Sequence, residues 1–111
     1  MSTFHYQRSI RAGAEYDLVV AGGGPAGSAA AICGARLGLR TLLVEATGCM
    51  GGMGTSGLVT AFNPMANGHI PLVGGFMREL VETLFARGFL KPGIDPDSWR
   101  RKYECWTPFN A

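Results

Sequence analysis

The arrangement of hydrophobic residues changes along the chain. Leu18-Val19-Val20 is a continuous apolar run, which is typical of a parallel strand covered on both faces. Residues 25–37 are rich in alanine and other good helix formers and predict a helix. Arg40–Glu45 contains a second apolar run and predicts another strand. The first half of the chain therefore predicts the order strand, helix, strand.

Farther along, the pattern predicts shorter elements and one amphipathic helix. Leu58–Phe62 predicts a short strand or an extended path that Asn63-Pro64 ends. Asn67-Gly68, a strong hairpin signal, predicts that Phe62–Leu72 folds back on itself. Gly74–Arg87 predicts a helix that Gly88 caps. We expect its apolar side to pack in a core, and that side consists of Phe76, Leu80, Val81, Leu84 and Phe85.

Three glycines follow the first predicted strand with the spacing G-x-G-x-x-G. Gly22 allows a tight turn out of the strand, Gly24 allows the backbone to approach a pyrophosphate, and Gly27 allows the helix to pack closely on the strand. Glu45 follows about 20 residues later, where an acid can accept hydrogen bonds from ribose hydroxyls and disfavours a 2′-phosphate. The sequence therefore predicts a dinucleotide site.

The first residues of the predicted helix are compatible with an anion. Pro25 is favourable in the first turn, where its missing N–H would have no intrahelical partner. The free N–H groups and the positive end of the helix dipole would then face a diphosphate. We expect Ala31 and Gly38 to provide small residues for close packing of this helix on the sheet.

A second glycine motif narrows the prediction. Gly51-Gly52 followed by Thr55 resembles the GG motif, G-G-x-x-S/T, which follows the second strand in many flavoproteins. Together with the first glycine motif and Glu45, the segment Gly48–Val59 resembles the FAD-dependent oxidoreductase family, flavoproteins of the type with two dinucleotide-binding domains. Gly75–Leu80 also matches a helix of that family, and the resemblance runs from about Tyr16 to the end of the chain.

The resemblance implies an α/β fold in which a Rossmann-like βαβ dinucleotide-binding unit starts a larger FAD/NAD(P)-binding domain. It implies FAD as the cofactor. Residues 1–15 are then an N-terminal extension, and residues 16–111 are the incomplete N-terminal part of the domain. The residues expected to bind the cofactor are Gly22, Gly24, Pro25, Ala26, Gly27, Glu45, Gly51, Gly52, Met53 and Thr55. No residue is predicted to be catalytic or to bind a metal.

The second motif departs from related patterns in two ways. Cys49 stands where the GG motif often has an arginine, so a phosphate contact from that arginine is missing. Disulfide reductases of the same superfamily carry a redox-active Cys-x4-Cys just after the glycine pair, and this chain has no cysteine there. We therefore exclude a dithiol mechanism. Cys49 is either a reactive thiol near the flavin or an ordinary loop cysteine, and we favour the second interpretation.

The remaining chemistry-bearing residues have simpler interpretations. Cys33, Cys49 and Cys105 are widely spaced and suggest neither a disulfide framework nor a metal site. Cys33 lies in the first predicted helix, where we expect a small core residue. His69 could carry protons, but we favour a surface turn histidine without a partner. A brief helix is predicted from Asp97 or Ser98 through Tyr103.

Charge and hydropathy argue against several other classes of protein. The net charge is +2 and 16% of residues are charged, so nucleic-acid binding has no support. Arg100-Arg101-Lys102, where basic residues do cluster, is interpreted as a solvated face or turn. No apolar run is long enough to span a membrane, and the N-terminus lacks the apolar core of a signal peptide. A cytoplasmic protein is therefore expected.

The predicted function is the N-terminal FAD-binding portion of a flavin-dependent oxidoreductase with a small-molecule substrate of unknown class. The alternative is a non-catalytic nucleotide-binding fragment or subunit, and an NAD-binding module is a third, weaker interpretation. A parallel sheet of two strands leaves both edges unpaired. We therefore expect the remainder of the chain or a partner subunit to complete the fold, and the 111 residues alone to be inactive.

Overall fold

The computed structural model describes residues 2–62, 65–97 and 107–109. Its elements in chain order are strand β1 at Leu18–Ala21, helix α1 at Pro25–Arg36, strand β2 at Thr41–Val44, a 3₁₀ turn at Gly52–Gly54, strand β3 at Ala61–Phe62, helix α2 at Gly75–Ala86 and strand β4 at Thr107–Pro108. Residues 2–16 contain no helix or strand, and the division of the chain at residue 15 stays a prediction. No helix within the described ranges is long and apolar enough to cross a membrane.

The first sheet is a parallel pair of β1 and β2. Leu18 is opposite Thr41, and the register continues without a break to Ala21 opposite Val44. Helix α1 connects the two strands along the chain. The predicted α/β character is therefore confirmed, in that the chain mixes strands and helices and its first sheet is parallel.

Helix α1 packs closely on one face of this sheet because small residues line the contact. A Cβ atom at Gly34 would lie 2.5 Å from Leu18 Cδ2 and 3.1 Å from Thr41 Oγ1. Ala31 is also buried, as predicted. On the opposite face Val19 is 58% exposed and Val44 is 51% exposed. The prediction that the first strand is covered on both faces is therefore wrong for the described residues, because α1 covers one face alone.

The end of α1 corrects two further predictions. Gly38 has φ +85° and does not pack on the sheet. Its N–H donates to Ala35 O (3.0 Å), and the N–H of Leu39 donates to Gly34 O (3.2 Å), the arrangement of a Schellman cap. Gly34 is thus the small residue that the close approach requires, and Gly38 ends the helix. Cys33 lies in α1 but is exposed, so it is not a core residue.

Helix α2 contributes to the second hydrophobic cluster. Val81 is buried with Leu90 and Phe109, and Met77 and Leu84 pack against them. The rings of Phe62 and Phe109 stack with centroids 4.4 Å apart, and β3 pairs antiparallel with β4. Phe85, which was expected on the core face, is 50% exposed. It lies next to Leu84 at the end of the helix, one position off the apolar stripe.

The predicted helix cap and turn in this region are confirmed. Gly88 caps α2 with φ +73°, as predicted, and donates its N–H to Phe85 O at 3.0 Å. Asn67 Oδ1 accepts hydrogen bonds from the N–H groups of His69 and Ile70 at 3.0 and 2.9 Å. Ala66 pairs with Pro71 in an antiparallel bridge, so the predicted fold-back is confirmed within residues 65–72.

Two further predictions for this half of the chain concern a strand and a brief helix. The strand predicted at Leu58–Phe62 contains only its last two residues, Ala61 and Phe62. Leu58 has φ +56°, which is incompatible with an extended strand at that residue. Residues 98–106 lie outside the described part of the chain. They include the basic run Arg100-Arg101-Lys102 and, apart from Asp97, the helix predicted from Asp97 or Ser98 through Tyr103.

An ion pair connects the two long helices. Both terminal nitrogens of Arg36, in the last turn of α1, donate to the two carboxylate oxygens of Glu79 in α2, each at 2.7 Å. The mutual hydrogen bonds raise the pKa of Arg36 and lower the pKa of Glu79. Both side chains are about half exposed. The contact is a bidentate surface pair.

The packing of α1 on the sheet predicts the effect of enlarging Gly34. Gly34→Val would place its methyl groups into Leu18 and Thr41, and we expect unfolding free energy to fall by about 1–3 kcal/mol. Ala35→Val is the matched control because Ala35 is exposed on the same helix, and it should cost at most about 0.7 kcal/mol through helix propensity. Chemical denaturation of the full-length protein measures both, and equal losses would contradict this packing.

Candidate dinucleotide site

The turn after β1 is built from glycine because the backbone turns back on itself. Gly22 has φ +96°, and its N–H donates to Val44 O at 2.7 Å, which extends the pairing with β2 by one residue. A Cβ atom at Gly27 would overlap the carbonyl group of Gly22 and lie 3.4 Å from Val20 Cγ1. The sequence-based roles of Gly22 in the turn and Gly27 in close packing are therefore confirmed.

The first turn of α1 presents backbone donors to its surroundings. Gly24 is the N-cap residue, no side chain caps the helix, and no acidic residue lies in the first turn. The N–H of Ser28 donates to Gly24 O at 2.8 Å. The N–H groups of Ala26 and Gly27 precede it and have no acceptor within the helix. Pro25 has no N–H group, so this helix end holds donors together with the positive end of the dipole.

Gly24 differs from the other two glycines of its motif. Its φ is −64°, so its backbone conformation does not require glycine. A Cβ atom there would meet no protein atom within 4 Å. Neither folding nor packing explains a glycine at this position. A ligand that approaches the backbone would explain it.

Glu45 lies beside the glycine turn, one residue after β2. Its Oε2 accepts a hydrogen bond from the N–H of Gly23 at 2.5 Å. Its Oε1 accepts two more, from the N–H of Thr47 at 2.7 Å and from Thr47 Oγ1 at 2.8 Å. These bonds, the one from the Thr47 N–H first, lower the pKa of Glu45 to about 2. The side chain is therefore an ionised acceptor at neutral pH.

The second glycine motif packs against the first. The N–H of Gly51 donates to Gly23 O at 2.8 Å. A Cβ atom at Gly52 would lie 3.1 Å from Gly24 Cα and 3.5 Å from Pro25 Cδ. Gly51 and Gly52 have φ +100° and +50°, so both positions favour glycine. The two motifs, separated in sequence, form one surface around the start of α1.

The other residues predicted in this loop have different surroundings. Thr55 Oγ1 donates to Met50 O at 2.6 Å, within its own loop. Met53 is 61% exposed on the 3₁₀ turn. The structure thus brings Met53 and Thr55 next to Gly52, but the hydroxyl proton of Thr55 is already used in the loop. Their contacts with a cofactor stay a prediction.

Three residues with evident roles in this surface were not predicted. Gly23 is buried; its N–H donates to Glu45, and its carbonyl accepts a hydrogen bond from the N–H of Gly51. Ser28 Oγ donates to the same carbonyl at 2.9 Å. Thr47 donates twice to Glu45. Sequence offers only a general signal for Thr47, since threonine side chains often form local hydrogen bonds. The glycine pattern alone does not indicate Gly23, whose position in the motif is variable.

Cys49 and His69 lie at the surface. The thiol of Cys49 is exposed and lies 3.5 Å from Ser56 Oγ and 3.9 Å from Thr55 Oγ1. These hydrogen bonds, the one with Ser56 first, lower the pKa of Cys49. His69 is exposed in its turn, as expected. Among the described residues, no group of three or more His, Cys, Asp or Glu side chains could hold a metal ion.

The combined surface has the chemistry that a dinucleotide diphosphate and ribose require. Backbone donors at the start of α1 complement the negative charge of a diphosphate, and the ionised Glu45 carboxylate complements ribose hydroxyls. The model of the FAD dependent oxidoreductase family matches residues 17–110. The chain belongs to this family. The family and its FAD cofactor, as predicted from the sequence, are confirmed.

Curated proteins match this chain over part of its length. The mitochondrial dihydrolipoyl dehydrogenase of Schizosaccharomyces pombe is 53% identical over 47 residues, which is 42% of this chain and 9% of that protein. The dihydrolipoyl dehydrogenase of Trypanosoma brucei brucei is 60% identical over 37 residues, 33% of this chain and 8% of that protein. The thioredoxin reductase of Peptoclostridium litorale is 37% identical over 90 residues.

The match to thioredoxin reductase covers 74% of this chain and 26% of that protein. The chain therefore spans about a quarter or less of the length of these family relatives. No solved structure gives a significant match to it.

The hydrogen bonds to Glu45 predict a specific response to acid. The folded carboxyl has a pKa of about 2, below the usual value of 4.5. Its contribution to stability is therefore fully present above about pH 4.5 and is lost as the pH falls toward 2. In the full-length protein, Glu45→Gln should reduce the loss of unfolding free energy across this interval.

Glu15→Gln is the matched control, since Glu15 is exposed in the segment that precedes β1. It should leave the same part of the pH profile unchanged. Carboxyl NMR titration of wild type measures the Glu45 midpoint directly. A midpoint near 4.5 would contradict the hydrogen bonding described for Glu45.

Proposed function

We propose that this chain is the N-terminal FAD-binding portion of a flavin-dependent oxidoreductase that acts on a small molecule. In this proposal β1, α1 and β2 form a Rossmann-like βαβ unit at the start of a larger FAD-binding domain. The N–H groups at the start of α1 bind the diphosphate of FAD, and Glu45 binds the adenosine ribose. The second glycine loop, Gly51-Gly52, lies against the same part of the cofactor.

One observation carries this proposal more than any other. Gly24 has an ordinary backbone conformation and open space where its side chain would be, yet it lies at the N-terminus of α1. Gly52 and Glu45 are brought to the same turn by contacts with Gly24 and Gly23. A pyrophosphate that passes close to the Gly24 backbone requires this arrangement.

The bound flavin would supply the redox chemistry by accepting a hydride or electrons. The residues of this chain bind and orient the adenosine and diphosphate half of the cofactor. The backbone amides of α1 neutralise charge on the diphosphate, and the ionised Glu45 fixes the ribose. We assign no acid, base or nucleophile to the described residues of the chain.

The exposed sheet face favours a second candidate function. Val19 and Val44 lie on the side of the sheet opposite α1, where their side chains are 58% and 51% exposed. Parallel sheets, by contrast, are ordinarily covered on both faces. The remainder of the protein or a partner subunit would cover them in the first proposal. A non-catalytic nucleotide-binding subunit that requires a partner chain would have the same need. Flavin-dependent turnover in the purified protein distinguishes the two.

The first test identifies the cofactor. Full-length protein purified from cells should release FAD on denaturation, and chromatography of the released nucleotide distinguishes FAD from FMN and NAD. Glu45→Arg should lower FAD affinity at least about tenfold, because it removes charged hydrogen bonds and adds a bulky cation beside the ribose. Release of FMN or NAD without FAD would refute the proposal.

The second test separates ligand binding from folding at a helix N-cap. Gly24→Val should abolish FAD binding, because the side chain would occupy the space beside the backbone that the diphosphate approaches. Gly74→Val is the matched control: Gly74 is the N-cap of α2, also without a side-chain cap and with open space for a Cβ atom. It should retain stoichiometric FAD. A folded Gly24→Val protein with unchanged FAD content would show that Gly24 has no role in binding.

A further inference from the structure

The two oxygens of the Glu45 carboxylate have different surroundings. Oε1 accepts hydrogen bonds from both the N–H and the hydroxyl of Thr47, at 2.7 and 2.8 Å. Oε2 accepts one hydrogen bond, from the N–H of Gly23 at 2.5 Å. A carboxylate oxygen accepts two hydrogen bonds through its lone pairs. Thr47 therefore engages both acceptor positions of Oε1, and Oε2 accepts the single hydrogen bond from Gly23. The N–H of Ala46 also interacts weakly with the carboxylate. Oε2 is thus the oxygen with fewer hydrogen bonds.

This asymmetry fixes the direction of the side chain. The Gly23 N–H alone would allow the carboxylate to rotate about that single bond. The pair of donors on Thr47 holds the other oxygen away from the turn, so the carboxylate plane is fixed at both ends. Because Gly23 lies between Gly22 and Gly24, Oε2 is the oxygen adjacent to the glycine turn.

We propose that Thr47 is a positioning residue for the ribose contact, holding the Glu45 carboxylate so that the second acceptor position of Oε2 receives a ribose hydroxyl. This inference rests on the proposed function, in which Glu45 binds the adenosine ribose. Thr47 itself does not touch the nucleotide. Its effect is on ribose recognition and not on the diphosphate.

The Thr47 hydroxyl also approaches the carbonyl and the thiol of Cys49, and this sets up the competing explanation. Thr47 Oγ1 lies 3.1 Å from Cys49 O as well as 2.8 Å from Glu45 Oε1. A hydroxyl carries one proton, and the shorter contact to an ionised oxygen is the stronger hydrogen bond. If the hydroxyl donated to Cys49 O instead, Thr47 would only stabilise the loop that leads to Gly51. Its removal would then affect all nucleotides alike.

The experiment compares two probes in the flavin-free full-length protein: ADP and 2′,3′-dideoxy-ADP, which lacks both ribose hydroxyls. Wild type should bind ADP about tenfold more tightly than the dideoxy probe, since the difference is a hydrogen bond to a charged group. Thr47→Val should weaken ADP binding about three- to tenfold and leave the affinity of the dideoxy probe unchanged. Calorimetric titration measures both constants.

Four further variants make the comparison specific. Thr47→Ser keeps the hydroxyl and should restore the wild-type preference for ADP, and Thr47→Ala should reproduce the loss if Thr47→Val does not fold. In a Glu45→Gln background, Thr47→Val should cause no additional loss of ADP affinity. Thr83→Val is the control, because the Thr83 hydroxyl donates to Glu79 O within α2 at 2.8 Å, and it should leave both affinities unchanged.

The outcomes separate this inference from the proposed function. Full retention of the ADP preference in Thr47→Val and Thr47→Ala, or an equal loss for both probes, overturns the positioning role while the FAD site stands. A wild-type protein that binds both probes equally overturns the ribose contact of Glu45 and the role of Thr47 with it. Absence of FAD from the purified protein together with absence of ADP binding refutes the proposed function itself.

Discussion

The structure depends on the absence of a side chain at Gly27. Any Cβ atom there would overlap the carbonyl group of Gly22, so α1 could not begin where β1 ends. The close contact places the first N–H groups of α1 beside the glycine turn and sets the direction in which the helix crosses the sheet. Gly34, in the last turn of α1, allows a similarly close approach to the sheet at Leu18.

Electrostatics at the turn follow from this close packing. The helix end is positive and uncapped, and the ionised Glu45 balances it from the end of β2 through the buried Gly23. The backbone of Gly23 forms two hydrogen bonds: its N–H donates to Glu45, and its carbonyl accepts from the N–H of Gly51. The acid is therefore a structural connection between three segments as well as a candidate ligand group. Substitution of Glu45 by itself does not distinguish these two roles, whereas a probe without ribose hydroxyls does.

Local patterns in the sequence predicted β1, α1, β2 and α2 because each has strong periodicity or composition and an identifiable end, such as the glycine caps. They also predicted which glycines form the turn. The exchange of roles between Gly34 and Gly38 was not predictable, because both are small residues near one helix end and only the exact end of the helix separates them. Cys33 and Val19 were misjudged for another reason: their exposure depends on which faces the neighbouring elements cover. The bonds of Thr47 depend on rotamers that composition does not determine.

The link between α1 and α2 has a consequence for the response of the protein to its medium. Arg36 and Glu79 meet in a bidentate pair on the surface, with both side chains about half exposed to solvent. Dissolved ions screen such charges over a Debye length of about 8 Å at physiological ionic strength and about 3 Å at 1 M salt. The buried contacts of α1 with the sheet are insensitive to such screening. Concentrated salt should therefore loosen the second helix from the first while the glycine turn after β1 keeps its geometry.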